Sequence, residues 1–482
     1  MGNETTAQVI ERLKNANIPN VEVLDVVLED TGHVEAQSKQ GKWSYDNVPS
    51  FYRISLKMTP GERSLVYTEV WLPLEWNGIF VGSGNNGIAG SLYHPWLHYF
   101  VKNHYASANT DMGTSAGWET GVDNPDMWND FGWRATHEMT VVAKQLIEIC
   151  YGRKPQYSYF MGGSTGGNQA MHEVQMFPED YDSIFCFVPA HERLYGTLLR
   201  LWLSKHEVDA DGKPLFTKEL VREITAQGVA FYQSRGDGQP GDNFVTFPTA
   251  DEETVDAFIA YLRVHMPELT QQQLDALRAI YIGPINSLTG ERICEGIPIG
   301  SEAMANGLGT NSGKDFRHFA LTWVFGADYD AKTFDFGKDW ETLKERMSAI
   351  LDAHSPALEP FFERGGKLLI YAGAADPLCT YYCSINYYDK LLERFGGYEK
   401  LKDHCRFFLM PGRAHGGGDG FWQIWPDPVE GDEFMIIRRW FEEGIAPDAI
   451  YGVRPNMTDS TKEPELIRAL YPYIGNGEFL RG

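Results

Sequence analysis

Long apolar runs are missing from this 482-residue chain. No stretch of about 20 consecutive apolar residues occurs, so no segment is expected to cross a membrane as a helix. Cysteine is scarce. The six (150, 186, 294, 379, 383 and 405) are scattered, the pattern of reduced thiols in a cytoplasm rather than of a disulfide framework. Cys379 and Cys383 make a CxxxC, but there is no second pair to complete a zinc site. Basic residues are outnumbered, 42 Lys and Arg against 66 Asp and Glu, for a net charge of −24. Such a field repels polyanions, so neither nucleic acid nor an anionic membrane surface is an expected partner. The opening MGNETTAQVIERLKNANIPN lacks the basic and apolar regions of a signal peptide, which again points to a cytoplasmic protein. MGNETT matches the N-myristoylation letters at Gly2 and Thr6, a short and common pattern that carries little weight. Repeats and low-complexity tracts are absent as well.

What is present is size and alternation. The chain exceeds the length at which one core stops growing, so a main domain with a second, inserted one is expected. Over the first 190 residues short apolar runs alternate with helical patterns, the signature of a mostly parallel sheet. Ser64–Leu72, Gly78–Val81 and Tyr157–Met161 read as strands, and Thr136–Ile149 and Asn168–Met176 as helices. From about residue 192 helical patterns take over, at Thr217–Tyr232, Asp251–His265 and Thr270–Tyr281, with polar Gly/Asp/Pro loops between them. Strand texture returns at Lys367–Tyr371 and Arg406–Met410. The expected architecture is therefore a mostly parallel sheet flanked by helices over 1–191 and 359–482, interrupted by a mainly helical lid over 192–358.

The chemistry is carried by Gly162-Gly163-Ser164-Thr165-Gly166, which fits G-x-S-x-G between a strand and a helix. A hydroxyl with its normal pKa is a poor nucleophile. It needs a base, a carboxylate to orient that base, and amides to hold the developing oxyanion. A serine on such an elbow is the arrangement of the α/β-hydrolase fold, whose order is serine, then acid, then histidine, the last two each after a late strand. Asp376 follows the strand around Lys367–Tyr371, and His415 follows Arg406–Met410 in Pro-Gly-Arg-Ala-His-Gly-Gly-Gly. The rivals His354 and His404 each lie before a strand rather than after one. A structural Gly-rich turn at 164, a helix-capping Asp at 376 and a structural histidine are the alternatives. For the oxyanion hole the amide of Thr165 is expected, joined by Gly84 and Asn85 of Gly82-Ser-Gly-Asn-Asn-Gly-Ile-Ala-Gly90.

These segments together resemble the tannase and feruloyl esterase family of α/β-hydrolases, which includes mono-hydroxyethyl-terephthalate hydrolases. The resemblance runs from Trp76-Asn-Gly to Gly90, through Arg134-Ala-Thr-His-Glu and Tyr159–Ala170, to Phe177-Pro-Glu-Asp-Tyr-Asp182. It resumes at Ile280-Tyr-Ile-Gly-Pro284, Thr289–Arg292 and Gly296–Glu302, and ends in Gly373–Pro377, Ser384–Tyr388 and Met410–His415. It implies a serine carboxylic ester hydrolase that cleaves esters of aromatic or phenolic acids through an acyl-enzyme on Ser164. An acyltransferase using the same acyl-enzyme, or a silent scaffold that only binds, are the alternatives. The expected partner is a small aromatic ester, and a homo-oligomer is compatible with the sequence. The stretch Asp315–Phe325 should end the lid and face the site, with Trp323 and Phe325 able to stack on a ring and Arg317 to meet an acidic group. All three packing the lid onto the core is the duller alternative.

Two departures stand out. The family typically has cysteines directly before the nucleophile and directly after the histidine, joined as a disulfide. Here Gly163 and Gly416 stand there, and packing must replace a tether worth a few kcal/mol. The calcium loop in the lid of many relatives is reduced to Asp237, Gly238 and Asp242. Without the full alternation of oxygen ligands, no metal or other cofactor is expected, with calcium in the lid as the alternative.

Overall fold

The computed structural model describes residues 4–249, 251–309, 318–429, 431–459 and 462–480. The chain divides into two compact units, one of residues 1–191, 322–327 and 349–368, the other of 192–321, 328–348 and 369–482.

The first unit is built on a mixed sheet. Its strands are β1 (Val21–Glu29), β4 (Phe51–Met58), β5 (Val66–Pro73), β6 (Ile79–Ser83), β7 (Ala106–Thr110), β8 (Tyr157–Ser164) and β9 (Ser183–Pro189). A separate hairpin is formed by β2 (His33–Ser38) and β3 (Gly41–Asp46). The spatial order is β1-β4-β5-β7-β6-β8-β9. Antiparallel pairing joins β1 to β4, β4 to β5 and β5 to β7, while β7, β6, β8 and β9 run parallel. Burial follows position. All of β6 and β7 is buried, as parallel strands covered on both faces must be, whereas β1 at the edge is largely exposed. Helix Ala135–Tyr151 buries Ala135, Met139, Val142, Leu146 and Cys150 at three- and four-residue spacing, and Gly152 ends it with a left-handed φ of 69°.

In the second unit the helices Lys218–Ser234, Glu252–His265 and Gln271–Ile282 begin one residue after Thr217, Asp251 and Thr270. Those three residues cap them, each side-chain oxygen accepting a first-turn amide. The expected helix starts were thus the caps. The helices share a core that includes Leu199, Ile224, Phe231, Phe258, Leu262, Leu277 and Ile280. The strand β11 (Cys405–Met410) and β10 (Lys367–Gly373) from Leu369 on also belong here, and Ala374 N–H donates to Met410 O at 3.0 Å where they end.

The carboxylates expected to hint at a calcium loop are engaged by the protein itself. Asp242 accepts both nitrogens of the Arg468 fork at 2.8 and 2.9 Å. Asp237 accepts the amides of Thr246 at 2.7 Å and Phe247 at 3.2 Å.

Leu277 is fully buried among these helices and Leu288 is 69% exposed. Replacing Leu277 with Ala is expected to lower stability by about 2–5 kcal/mol. Leu288→Ala should stay within about 0.5 kcal/mol. Denaturant unfolding of the two variants beside the parent checks both values.

Candidate active site

Strand β8 runs directly into helix Thr165–Met176 with no loop between them, and the turn falls on Ser164. Its φ of 56° and ψ of −119° are a strained combination for a residue with a Cβ, of the kind found at functional turns. The glycines around it are required by contact. A Cβ on Gly162 would lie 2.4 Å from Gly166 O, one on Gly166 2.9 Å from Gly84 Cα, and one on Gly84 2.4 Å from Gly166 Cα. The turn and the loop after β6 therefore touch backbone to backbone.

That loop is held by hydrogen bonds. Gly166 N–H donates to Asn85 O at 2.8 Å, and the Thr165 hydroxyl donates to Gly87 O. The Gly84 N–H donates to Met161 O at 2.9 Å, and the Asn85 N–H to Gln169 Oε1 at 2.8 Å. These last two bonds correct the expectation for the oxyanion hole. An amide has one hydrogen, and those of Gly84 and Asn85 are already directed at protein acceptors. Thr165 is the first residue of a helix, where amides and the helix dipole favour negative charge. Gln169, which sequence reasoning passed over, fixes the loop; its position four residues beyond Thr165 on a buried helix face was the available signal.

The missing cysteine before the nucleophile has a visible replacement. A Cβ on Gly163 would sit 2.0 Å from the Phe187 ring, so an aromatic side chain of β9 occupies that space. At Gly416, by contrast, a Cβ would meet nothing within 4 Å. None of the six cysteines forms a disulfide.

Asp376 and His415 lie in the second unit and are brought together. Asp376 is fully buried, and its Oδ1 accepts the amides of Leu378 at 2.8 Å and Cys379 at 3.0 Å. Its Oδ2 meets His415 Nδ1 at 2.8 Å, so the carboxylate fixes the ring while its other oxygen is itself fixed. His415 sits at the tip of a small hairpin in which Arg413 pairs with Gly418 and Ala414 with Gly417. The glycines make the hairpin: Gly418 has a φ of 129°, and a Cβ there would lie 2.3 Å from Gly412 O. Ala375 N–H donates to Arg413 O at 3.0 Å, tying the aspartate loop to the histidine hairpin. Burial on its own pushes the His415 imidazole down. The Asp376 carboxylate, with the Cys379 sulfur behind it, outweighs burial and holds it well above its ordinary 6.5.

The residues expected to contact substrate fare differently. Trp323 is 1% exposed, its indole N–H donates to Trp118 O at 2.7 Å, and its ring packs against Trp128 and Phe131. It is a core residue, because a ring enclosed in this way has no free face for a ligand. Phe325 is half-buried at the end of helix Phe319–Phe325. Arg317 lies outside the described residues.

A family model described as tannase and feruloyl esterase matches residues 55–477. The chain is 28% identical over 450 residues to a probable feruloyl esterase B-1 of Aspergillus flavus, covering 89% of this chain and 84% of that one. To feruloyl esterase C of Talaromyces stipitatus it is 27% identical, covering 91% and 86%. Among solved structures, feruloyl esterase B from Aspergillus oryzae superposes with a TM-score of 0.81 at 23% identity over 96% of both chains. Tannin acyl hydrolase from Aspergillus niger gives 0.73 at 17% identity, covering 99% and 96%. At these identities the structures report on the fold, which is that of α/β-hydrolases.

If Phe187 fills the cysteine position, Gly163→Ala should lower the melting temperature. The same substitution in a Phe187→Ala background should lower it by less, because the ring that the methyl group strikes is gone. Equal penalties in the two backgrounds would refute the contact.

Proposed function

The chain belongs to the tannase and feruloyl esterase family, and from that premise we propose that Ser164, His415 and Asp376 carry out the hydrolysis of phenolic acid esters. It is a carboxylic ester hydrolase. The observation that carries the assignment of Ser164 is its strained position where β8 turns into a helix, which aims the hydroxyl out of the backbone. His415 takes the Ser164 proton as the oxygen attacks the ester carbonyl, and Asp376 holds the imidazole and stabilises its charged form. The oxyanion is met by the Thr165 amide. The second donor is sought further along the loop, at the exposed Asn86 and Gly87, since the two preceding amides are engaged. His415 returns the proton to the departing alcohol, and water then releases the acid from Ser164 by the same steps in reverse. The mainly helical residues 192–358 serve as a lid over the acid's ring, and the free thiols suit a reducing compartment.

A panel of methyl gallate, methyl ferulate, chlorogenate and a terephthalate monoester tests the substrate class, and a chain inert on all of them and on simple aryl esters is not this enzyme. Ser164→Ala should lose labelling by a fluorophosphonate probe and at least about 10³-fold in kcat. Release of free acid alone, in the presence of competing alcohols, excludes acyl transfer.

Because the base must be neutral to accept a proton, and its charged form is favoured here, kcat/KM should rise with pH through an apparent pKa above 6.5. A pH–rate profile already flat at pH 6 would show that the buried carboxylate does not hold the His415 imidazole up.

A further inference from the structure

Three residues after Asp376 the chain places a thiol. Cys379 is half-buried; its amide donates to Asp376 Oδ1 at 3.0 Å, and its sulfur lies within 4.8 Å of a His415 ring nitrogen. One ligating atom from each of Asp376, Cys379 and His415 lies within 4.8 Å of the other two. Among the described residues His137, Glu173 and Asp180 also cluster, but without a sulfur.

Sulfur, imidazole nitrogen and carboxylate oxygen form a donor set suited to Zn²⁺, a borderline-soft ion without strong geometric preference. Zn–S bonds are about 2.3 Å and bonds to nitrogen or oxygen about 2.0–2.2 Å, so ligating atoms under 5 Å apart close on one ion with small side-chain movements. The backbone behind them is already fixed. Two amides hold Asp376, and the bond from Ala375 N–H to Arg413 O at 3.0 Å joins the loop of the acid and thiol to the histidine hairpin. Access exists too, since the His415 side chain is 17% exposed.

We propose that Asp376, Cys379 and His415 form a Zn²⁺ site, and that zinc bound there through His415 Nδ1 switches the hydrolase off by leaving the ring proton on Nε2, the nitrogen that otherwise accepts the Ser164 proton. Binding is a ligand exchange. Zinc gains the Cys379 thiolate and a His415 nitrogen, and the thiol proton and any imidazolium proton pass to solvent. Nothing is oxidised or reduced, so a chelator reverses it. Since both groups must be deprotonated, zinc should bind more weakly as the pH falls. The binding half of the proposal stands on the cluster alone, while the inhibition half rests on His415 as the general base.

The experiment separates the two halves. Co²⁺, a spectroscopic stand-in for Zn²⁺, is titrated into the wild type, Cys379→Ser, Cys379→Ala and Ser164→Ala, following the thiolate-to-cobalt charge-transfer absorption. Ester hydrolysis is titrated with Zn²⁺ in parallel, and a melting curve confirms that each variant is folded. The wild type should bind one Co²⁺ with a thiolate band that Zn²⁺ displaces, and Ser164→Ala should keep the band although it is inactive. Both Cys379 variants should lose it and need at least about tenfold more Zn²⁺ for half-inhibition. EDTA should restore wild-type activity. No band in the wild type, or a band that survives both Cys379 variants, overturns the site. A band without inhibition overturns the switch and the role of His415 as base, but leaves the site. If the wild type hydrolyses no ester, the proposed function fails, and the cobalt titration alone decides whether the site exists.

Discussion

Ser164 is held at a φ of 56°, and the geometry around it follows from that constraint. A residue with a Cβ in this region costs on the order of 1–3 kcal/mol unless its surroundings enforce it. Here they do. The parallel ladder of β8 fixes one side and the buried helix Thr165–Met176 the other, and the turn is pressed against the loop after β6 at a distance only glycines 84, 162 and 166 allow. The same closeness makes Asn85 and Gln169 partners, which redirects the Asn85 amide into the protein. Strain at the serine and the choice of oxyanion donors are thus two consequences of one packing arrangement.

In the second unit the corresponding constraint is charge. A carboxylate at zero exposure must be hydrogen-bonded, and Asp376 is satisfied by two amides on one oxygen and His415 on the other. Having no water to share its charge with, it favours the protonated imidazole, which raises the pH at which the base becomes available. Cys379 enters through the same backbone turn, because the amide that anchors Asp376 belongs to the residue that carries the thiol. The free thiol near the base is therefore tied to the way the acid is held.

Much of the fold was legible. The helix starts at Thr217, Asp251 and Thr270 and the strands around Gly78–Val81 and Lys367–Tyr371 follow from side-chain pattern and from capping residues, both local properties. The positions of Ser164, Asp376 and His415 were legible for the same reason, each at or after the end of a strand in a glycine-rich or turn-forming context. Trp323 was left open between ligand and core because an aromatic near the end of a helix looks the same in either setting. Only its bond to Trp118, distant in sequence, decides between them.

The sequence alone determined where the strands end, which glycines turn there and which serine, aspartate and histidine stand at those ends, since all of these are written in runs of a dozen residues. Which amides remain for an oxyanion, what fills the space beside Gly163, and which thiol lies next to the histidine were decided only by tertiary structure. Each depends on a pair remote in the chain: Asn85 with Gln169, Gly163 with Phe187, Cys379 with His415. A hydrogen bond or ring contact takes its partner from whatever packing brings within a few ångströms, and no local pattern records that.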